Sequence, residues 1–236
     1  IRKNIGIVGD RIFAFSKGLD FNQAQLFEKK LEERRGKWNK ILTLKNSPSL
    51  NKYNFLFDND KLTLTQNNNE ILTINIDETS EYELLSNKIL ELESSLQKPI
   101  YLMKNKDIPF FDTSISNKTI LNHSISLINT KSVEDFQNKT NQEIETQRFR
   151  GNIFFDGVDA WEERNWIGKI IKINDISFKV EKNIPRCVAI NLKPNTDDNS
   201  LNLLQSLKKT YNHFDMGVYL TALDDGPIYI GDNISV

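Results

Sequence analysis

Cys187 is the only cysteine in a chain of 236 residues. It lies in the stretch Ile-Pro-Arg-Cys-Val-Ala-Ile-Asn, 184–191. A single thiol excludes an internal disulfide and any Cys-x-x-Cys redox or metal pair, and it fits a reducing compartment. By residue type alone it reads as a small buried hydrophobe. Its neighbours widen the choice. Arg186 supplies a positive charge, which favours a thiolate. Pro185 interrupts regular pairing, so a strand is expected to begin at the thiol. Such a strand puts Cys187, Ala189 and Asn191 on one face and Arg186 on the other. Core filler, nucleophile and metal ligand all remain open on these grounds. The chain has two histidines, His123 and His213, far apart in sequence, so a zinc site of the usual Cys and His type is not expected.

A second constellation is Arg-Phe-Arg-Gly-Asn, 148–152. Alternation places Arg148, Arg150 and Asn152 on one face of an expected strand. Two guanidiniums and an amide in a row suit either a solvated edge strand or an anion site, since the guanidinium fork matches phosphate oxygens. Gly-Ile-Val-Gly-Asp-Arg, 6–11, lacks the Gly-Lys-Ser/Thr of a phosphate loop. It reads as a turn, with Arg11 as a further anion contact or a surface cation. Asp112, in Pro-Phe-Phe-Asp-Thr-Ser, falls in a long loop, where functional groups concentrate but where Asp also forms turns. Trp161 and Trp166 read as a lid over a core, and His-Phe-Asp-Met-Gly, 213–217, as a ligand loop or a turn into a hairpin.

The elements that must position these residues are short. Residues 6–18 read as strand, turn and strand, and 21–38 as a helix with Phe21, Ala24, Leu26 and Leu31 on one face. Residues 53–76 read as three strands divided by Asx-rich turns. Residues 79–97 give the clearest helix, capped by Thr79 or Ser80, with Leu84, Leu85, Ile89, Leu90 and Leu92 as its apolar stripe. After residue 125 come a strand, a capped helix and then mostly strands, interrupted by a helix over 201–212. The expected fold is mainly β within the α+β class. It has two β-barrel-like domains, 1–108 and 109–236, with a few peripheral helices. The net charge of −1 and the 27% charged residues give no basic excess for nucleic acid. No apolar stretch approaches the roughly 20 residues of a membrane span. A cytoplasmic location is expected.

Taken together, Arg-Phe-Arg-Gly-Asn-Ile-Phe-Phe-Asp-Gly (148–157), Ile-Pro-Arg-Cys-Val-Ala-Ile-Asn-Leu-Lys-Pro (184–194), His-Phe-Asp-Met-Gly-Val-Tyr and the C-terminal Gly-Pro-Ile-Tyr-Ile-Gly-Asp resemble the MOSC domain, named for the C-terminal part of molybdenum cofactor sulfurases. Gly-Ile-Val-Gly-Asp-Arg-Ile-Phe-Ala-Phe resembles the β-barrel domain preceding it in two-domain members such as the mitochondrial amidoxime-reducing components and their bacterial relatives. The resemblance implies that the C-terminal domain is a MOSC barrel and that Cys187 ligates the molybdenum of a molybdopterin cofactor. It implies that Arg11, Arg150, Asn152 and Arg186 hold the cofactor's phosphate and pterin. Asp112 would stand near the metal's water, with Asn122 competing for that position. It implies reduction of N-hydroxylated or N-oxide-type small molecules, with electrons from a separate flavin, haem or iron–sulfur protein. A sulfur or cofactor carrier using a persulfide on Cys187 is the alternative, and a non-catalytic barrel the third. Pyridoxal phosphate enters only through the family's association with the sulfurases, and no lysine here argues for it. Three departures stand out. Family members open with a strand upstream of Gly-Asp-Arg whose Lys grips the phosphate; these residues begin too late to contain it, so either the N-terminal domain lacks its first strand here as a truncated fragment or the cofactor site is incomplete. Lys193 occupies a usually acidic position. Gly151 replaces a frequent proline.

Overall fold

The computed structural model describes residues 1–111 and 119–236, so Asp112 lies outside the described residues. The chain forms two compact units. An N-unit comprises 11–117 and 192–198, and a C-unit comprises 1–10, 118–191 and 199–236. The class is mixed α+β, with 30% helix against 27% strand. The expected predominance of strand gives way where segments read as strands, 6–8, 148–152 and 187–191, form turns, 3-10 helix or irregular chain instead.

In the N-unit, β1 (Phe13–Phe15) pairs antiparallel with β5 (Leu102–Lys104). The expected strand before the Gly-Asp turn, in the stretch 1–10 that belongs to the C-unit, does not form, and an isolated bridge links Arg2 and Gly6. Helix α1 (Phe21–Lys29) starts at a capping box in which Asp20 accepts from the Gln23 amide and the Gln23 side chain accepts from Asp20 N. It stops at Lys30, whose backbone is extended, and α2 (Leu31–Arg34) comes next. The buried face is Ala24 and Phe27, while Phe21 and Leu26 are exposed. Strands β2 (Tyr53–Asp58), β3 (Lys61–Gln66) and β4 (Asn69–Asn75) make the expected meander. Both connections are two residues long, Asn59-Asp60 and Asn67-Asn68, all four with positive φ. That is the type I′ hairpin geometry, which Asn and Asp tolerate. Helix α3 (Glu81–Leu92) buries Leu85 and Ile89 against this sheet's core. Ser80 precedes it but makes no side-chain cap, and Leu84 points to solvent. Residues 192–198 attach here, because Asn51 Nδ2 donates to the carbonyls of Lys193 at 2.7 Å and Thr196 at 2.6 Å.

In the C-unit, six strands form a half-barrel sheet. They are β6 (Ile125–Asn129), β7 (Ile153–Phe155), β8 (Ile170–Ile173), β9 (Ile176–Pro185), β10 (Asp215–Ala222) and β11 (Ile234–Ser235), in the order β11-β8-β9-β10-β6-β7. All neighbours are antiparallel except β6 and β7. That parallel pair needs a crossover, supplied by α4 (Thr130–Thr140), which the Asn129 side chain caps at Lys131 N. Helix α5 (Leu203–Tyr211) buries Leu203 and Leu207. The core gathers Ile125, Leu127, Phe178, Val180, Val218 and Leu220, with Ile1 and Ile7 packed against it. The first ten residues are therefore part of this unit. Ile1 and Gly226 exchange backbone hydrogen bonds of 2.8 and 3.1 Å, and Asn4 N donates to Ala222 O.

Candidate functional site

The thiol sits at the end of a strand, not the start of one. β9 runs to Pro185, and Val188–Asn191 forms a 3-10 turn, so Cys187 lies in the bend between them. The expected face alternation from Arg186 to Asn191 is therefore absent. The bend frees Arg186 to turn beside the cysteine. Cys187 is half-buried and unbridged.

Arg148, Arg150 and Asn152 do not alternate on a strand either. Thr146–Phe149 is a 3-10 turn that ends at Arg150 in the left-handed region, φ 46°. This geometry separates the two arginines. Arg148 turns inward and is 3% exposed, with Nε donating to Glu145 at 2.6 Å and Nη1 to the Asn191 carbonyl at 2.7 Å. It is a strut under the cysteine turn. Arg150 turns outward, its Nη1 donating to the carbonyls of Arg148 at 2.9 Å and Ala189 at 2.7 Å. Arg150 is exposed, yet enough protein surrounds its guanidinium for desolvation to lower its pKa, with Cys187 raising it and Arg148 lowering it further.

Arg186 is anchored more tightly. Its Nε and Nη2 both donate to the Met216 carbonyl, Nη1 donates to Phe149 O at 2.8 Å, and its backbone N donates to Phe214 O at 2.9 Å. Desolvation pushes its pKa down to about 10, against the raising pull of Tyr219, Cys187 and Asp215, while Arg150 pushes it lower still. Arg150, Arg186 and Cys187 thus lie within one another's electric field in the same unit. Asn152 stands two residues beyond Arg150. Its Oδ1 accepts from Ser126 N at 2.9 Å and Ser126 Oγ at 2.8 Å, and its Nδ2 reaches Asp10 at 3.5 Å.

Arg11 belongs to the N-unit, at φ 55°, with its guanidinium 5.1 Å from the Phe111 ring centroid. Asn122 is buried in the 3-10 turn Thr119–His123. Trp166 is core, 2% exposed. Trp161 is no lid. It packs 4.4 Å from Tyr211, and its Nε1 donates to Asp135 at 2.8 Å. Among the described residues no three His, Cys, Asp or Glu side chains form a metal-ligating group.

Sequence reasoning missed the carbonyls that hold the arginines and the device that aims one of them. The β9–β10 register shifts between Asp215 and Val218, and Gly217 in that shift has φ +77°. A glycine inside a strand pattern marks such a bulge, and His-Phe-Asp-Met-Gly carried that signal. The bulge turns the Met216 carbonyl to Arg186.

No curated protein matches this chain. The family model of the MOSC domain matches residues 94–235. MOSC domains are associated with molybdenum cofactor binding in general. With more than half of its length matched, and with the Arg-Cys bend and the turned Arg150 both inside the match, the chain belongs to the MOSC domain family.

Proposed function

We propose that this protein binds the molybdenum cofactor through its C-unit and is an oxidoreductase acting on N-hydroxylated or N-oxide-type small molecules. The observation that carries the reading is the accessible Cys187 thiol in the field of two guanidiniums, Arg150 and Arg186. This donor set fits the group. A soft thiolate suits a molybdenum centre, and guanidiniums suit the anionic phosphate of the pterin.

Cys187 would ligate the metal. Arg150, exposed beside the cysteine turn, would contact the phosphate or pterin, and so would Asn152. Asn152 has its carbonyl oxygen committed to Ser126 and one amide contact to Asp10, so the second hydrogen of its amide nitrogen is what it would offer. Arg186 spends three donors on Phe149 and Met216 carbonyls. Its part is to fix the bend that presents Cys187 while adding positive charge. Arg11 and Asp112 stay candidates on the family resemblance, one for the phosphate and the other for the substrate side. When bound, the cofactor supplies oxygen-atom transfer coupled to two electrons.

The N-unit is read as the β-barrel-type domain that precedes MOSC in the amidoxime-reducing relatives. The electrons would come from a separate flavin, haem or iron–sulfur protein, in the cytoplasm. Among the described residues no helix is long and apolar enough to cross a membrane.

The test is expression in a cofactor-producing host, with molybdenum measured by mass spectrometry and pterin by fluorescence. Wild type should carry both, and Cys187→Ser should lose the metal while its apo melting temperature barely moves. Full molybdenum in the serine variant would remove Cys187 from the mechanism. Sulfane sulfur on the wild-type thiol without molybdenum would select the carrier reading instead.

A further inference from the structure

The N-unit contains a cavity of about 730 Å³, walled by α1, by α3 from its start to Leu90 and by the segment 98–102. It lies wholly within that unit and owes nothing to the cysteine site. Its size falls in the range of small-molecule pockets, about 300–1,000 Å³.

Three aromatic side chains line it. Phe21 is 56% exposed at the first position of α1. Exposing so large an apolar ring costs free energy unless something covers it. Its ring meets Tyr101 edge-on, with centroids 5.6 Å apart at 72°. Two rings at that angle form a corner that offers one face and one edge to a flat guest. Tyr82 closes the third side, its hydroxyl donating to Ile76 O at 2.8 Å.

The charged lining is two carboxylates, Glu28 and Glu83, against one ammonium, Lys98. Glu28 is half-buried, and its Oε1 accepts from Lys104 N at 3.3 Å. Its Oε2 has no protein partner among the described residues. Burial raises the Glu28 pKa, although Lys104 N–H and the charges of Lys29, Arg34 and Lys104 lower it. The Tyr82 phenol is pushed up to about 12 by desolvation and then by the charges of Glu28 and Asp77. The lining thus carries two carboxylates against one ammonium, and Glu28 Oε2 makes no hydrogen bond to a described residue.

We propose that this cavity binds a small organic ammonium ion with a flat aromatic or apolar body. The body would fill the Phe21–Tyr101 corner beside Tyr82, and the ammonium would donate to Glu28 Oε2. A cation between a carboxylate and aromatic faces gains from both. A neutral guest would leave Glu28 unpaired, and an anion would be repelled.

The test uses the full chain and three probes of one shape: 2-phenylethylamine, 2-phenylethanol and 3-phenylpropanoate, titrated by calorimetry at neutral pH. The amine should bind at one saturable site, at least about tenfold tighter than the alcohol, a difference of about 1.4 kcal/mol. The propanoate should not bind. Glu28→Gln keeps an oxygen for Lys104 N, so it should fold and erase the preference for the amine over the alcohol. Phe21→Ala removes an exposed side chain and should weaken amine and alcohol by a similar factor, about tenfold. Equal binding of amine and alcohol, tighter binding of the propanoate, no saturable binding of the amine, or an amine affinity unchanged in both variants would each overturn the proposal.

Discussion

Arg186 and Arg150 differ in what their guanidiniums do, and substitution should separate them. A lysine at 186 has a single ammonium and cannot bridge the Phe149 and Met216 carbonyls together. One buried acceptor would lose its donor, so Arg186→Lys should lower unfolding free energy by about 1–3 kcal/mol in urea titrations. Arg150→Lys, at an exposed site, should cost about 1 kcal/mol or less by the same measurement. A different residue sets a pH dependence. Glu163 is fully buried and accepts from Ser132 Oγ at 3.0 and 3.1 Å and from Asn129 Nδ2 at 3.1 Å. Desolvation outweighs those bonds and the pull of Arg164, so its pKa is raised. The folded state then holds the proton more tightly than the unfolded chain does. Stability is unreduced below the ordinary glutamate range and falls as pH rises from there through the raised folded value. Glu163→Gln should remove that component. Urea midpoints measured from about pH 4 to about pH 8 should fall more steeply in wild type than in the variant.

At the scale of elements, strand β6 is gripped by two glycines. A Cβ on Gly217 would strike Leu127 O and Ile128 Cδ1, and one on Gly151 would come within 2.5 Å of Ile128 Cγ1. Gly217→Ala combines positive φ with a backbone collision and should cost about 2–4 kcal/mol. Gly151→Ala meets a side chain and should cost about 1–3 kcal/mol. Thermal melts of the two variants would rank them. Gly217 also explains what the sequence could and could not disclose. Long alternating or helical runs were legible, because β2–β4, β6, β8–β10 and helices α3–α5 all stand close to where periodicity puts them. The two site segments were not. Residues 148–152 alternate in charge like a strand, yet Arg148 and Phe149 close the 3-10 turn Thr146–Phe149, and Asn152 locks to Ser126 through backbone and side chain just before β7 begins. Residues 184–191 look like a strand start, but Pro185 closes β9 and the Arg186 clamp to Met216 bends the chain at Cys187. Both outcomes depend on partners 26 to 30 residues away, beyond the reach of any local pattern. The cluster of cysteine and arginines was legible as types and not as geometry. The alternation rule grouped Arg148 with Arg150, whereas the structure makes one a buried strut and leaves the other at the site.

For the whole molecule the governing fact is that neither unit is a continuous stretch of chain. Residues 1–10 belong with the C-unit and 192–198 with the N-unit. A fragment of 118–236 would lack Ile1 and Ile7 from its core and would leave the Ala222 carbonyl without Asn4 N. It should bind a hydrophobic dye and unfold with little cooperativity. Joining 1–10 to it through a flexible linker should restore a sharp calorimetric transition, and an equally sharp transition without the linker would refute the dependence. The pairing of Ile1 with Gly226, 225 residues apart, also bears on how the molecule is made. On a ribosome, residues 1–10 emerge long before their partners. Two apolar side chains, Ile1 and Ile7, then wait for β10 to be synthesised before the surface that buries them exists. Folding of the cysteine-bearing unit therefore waits on a contact of very high sequence separation, and that contact cannot form until β10 has been made.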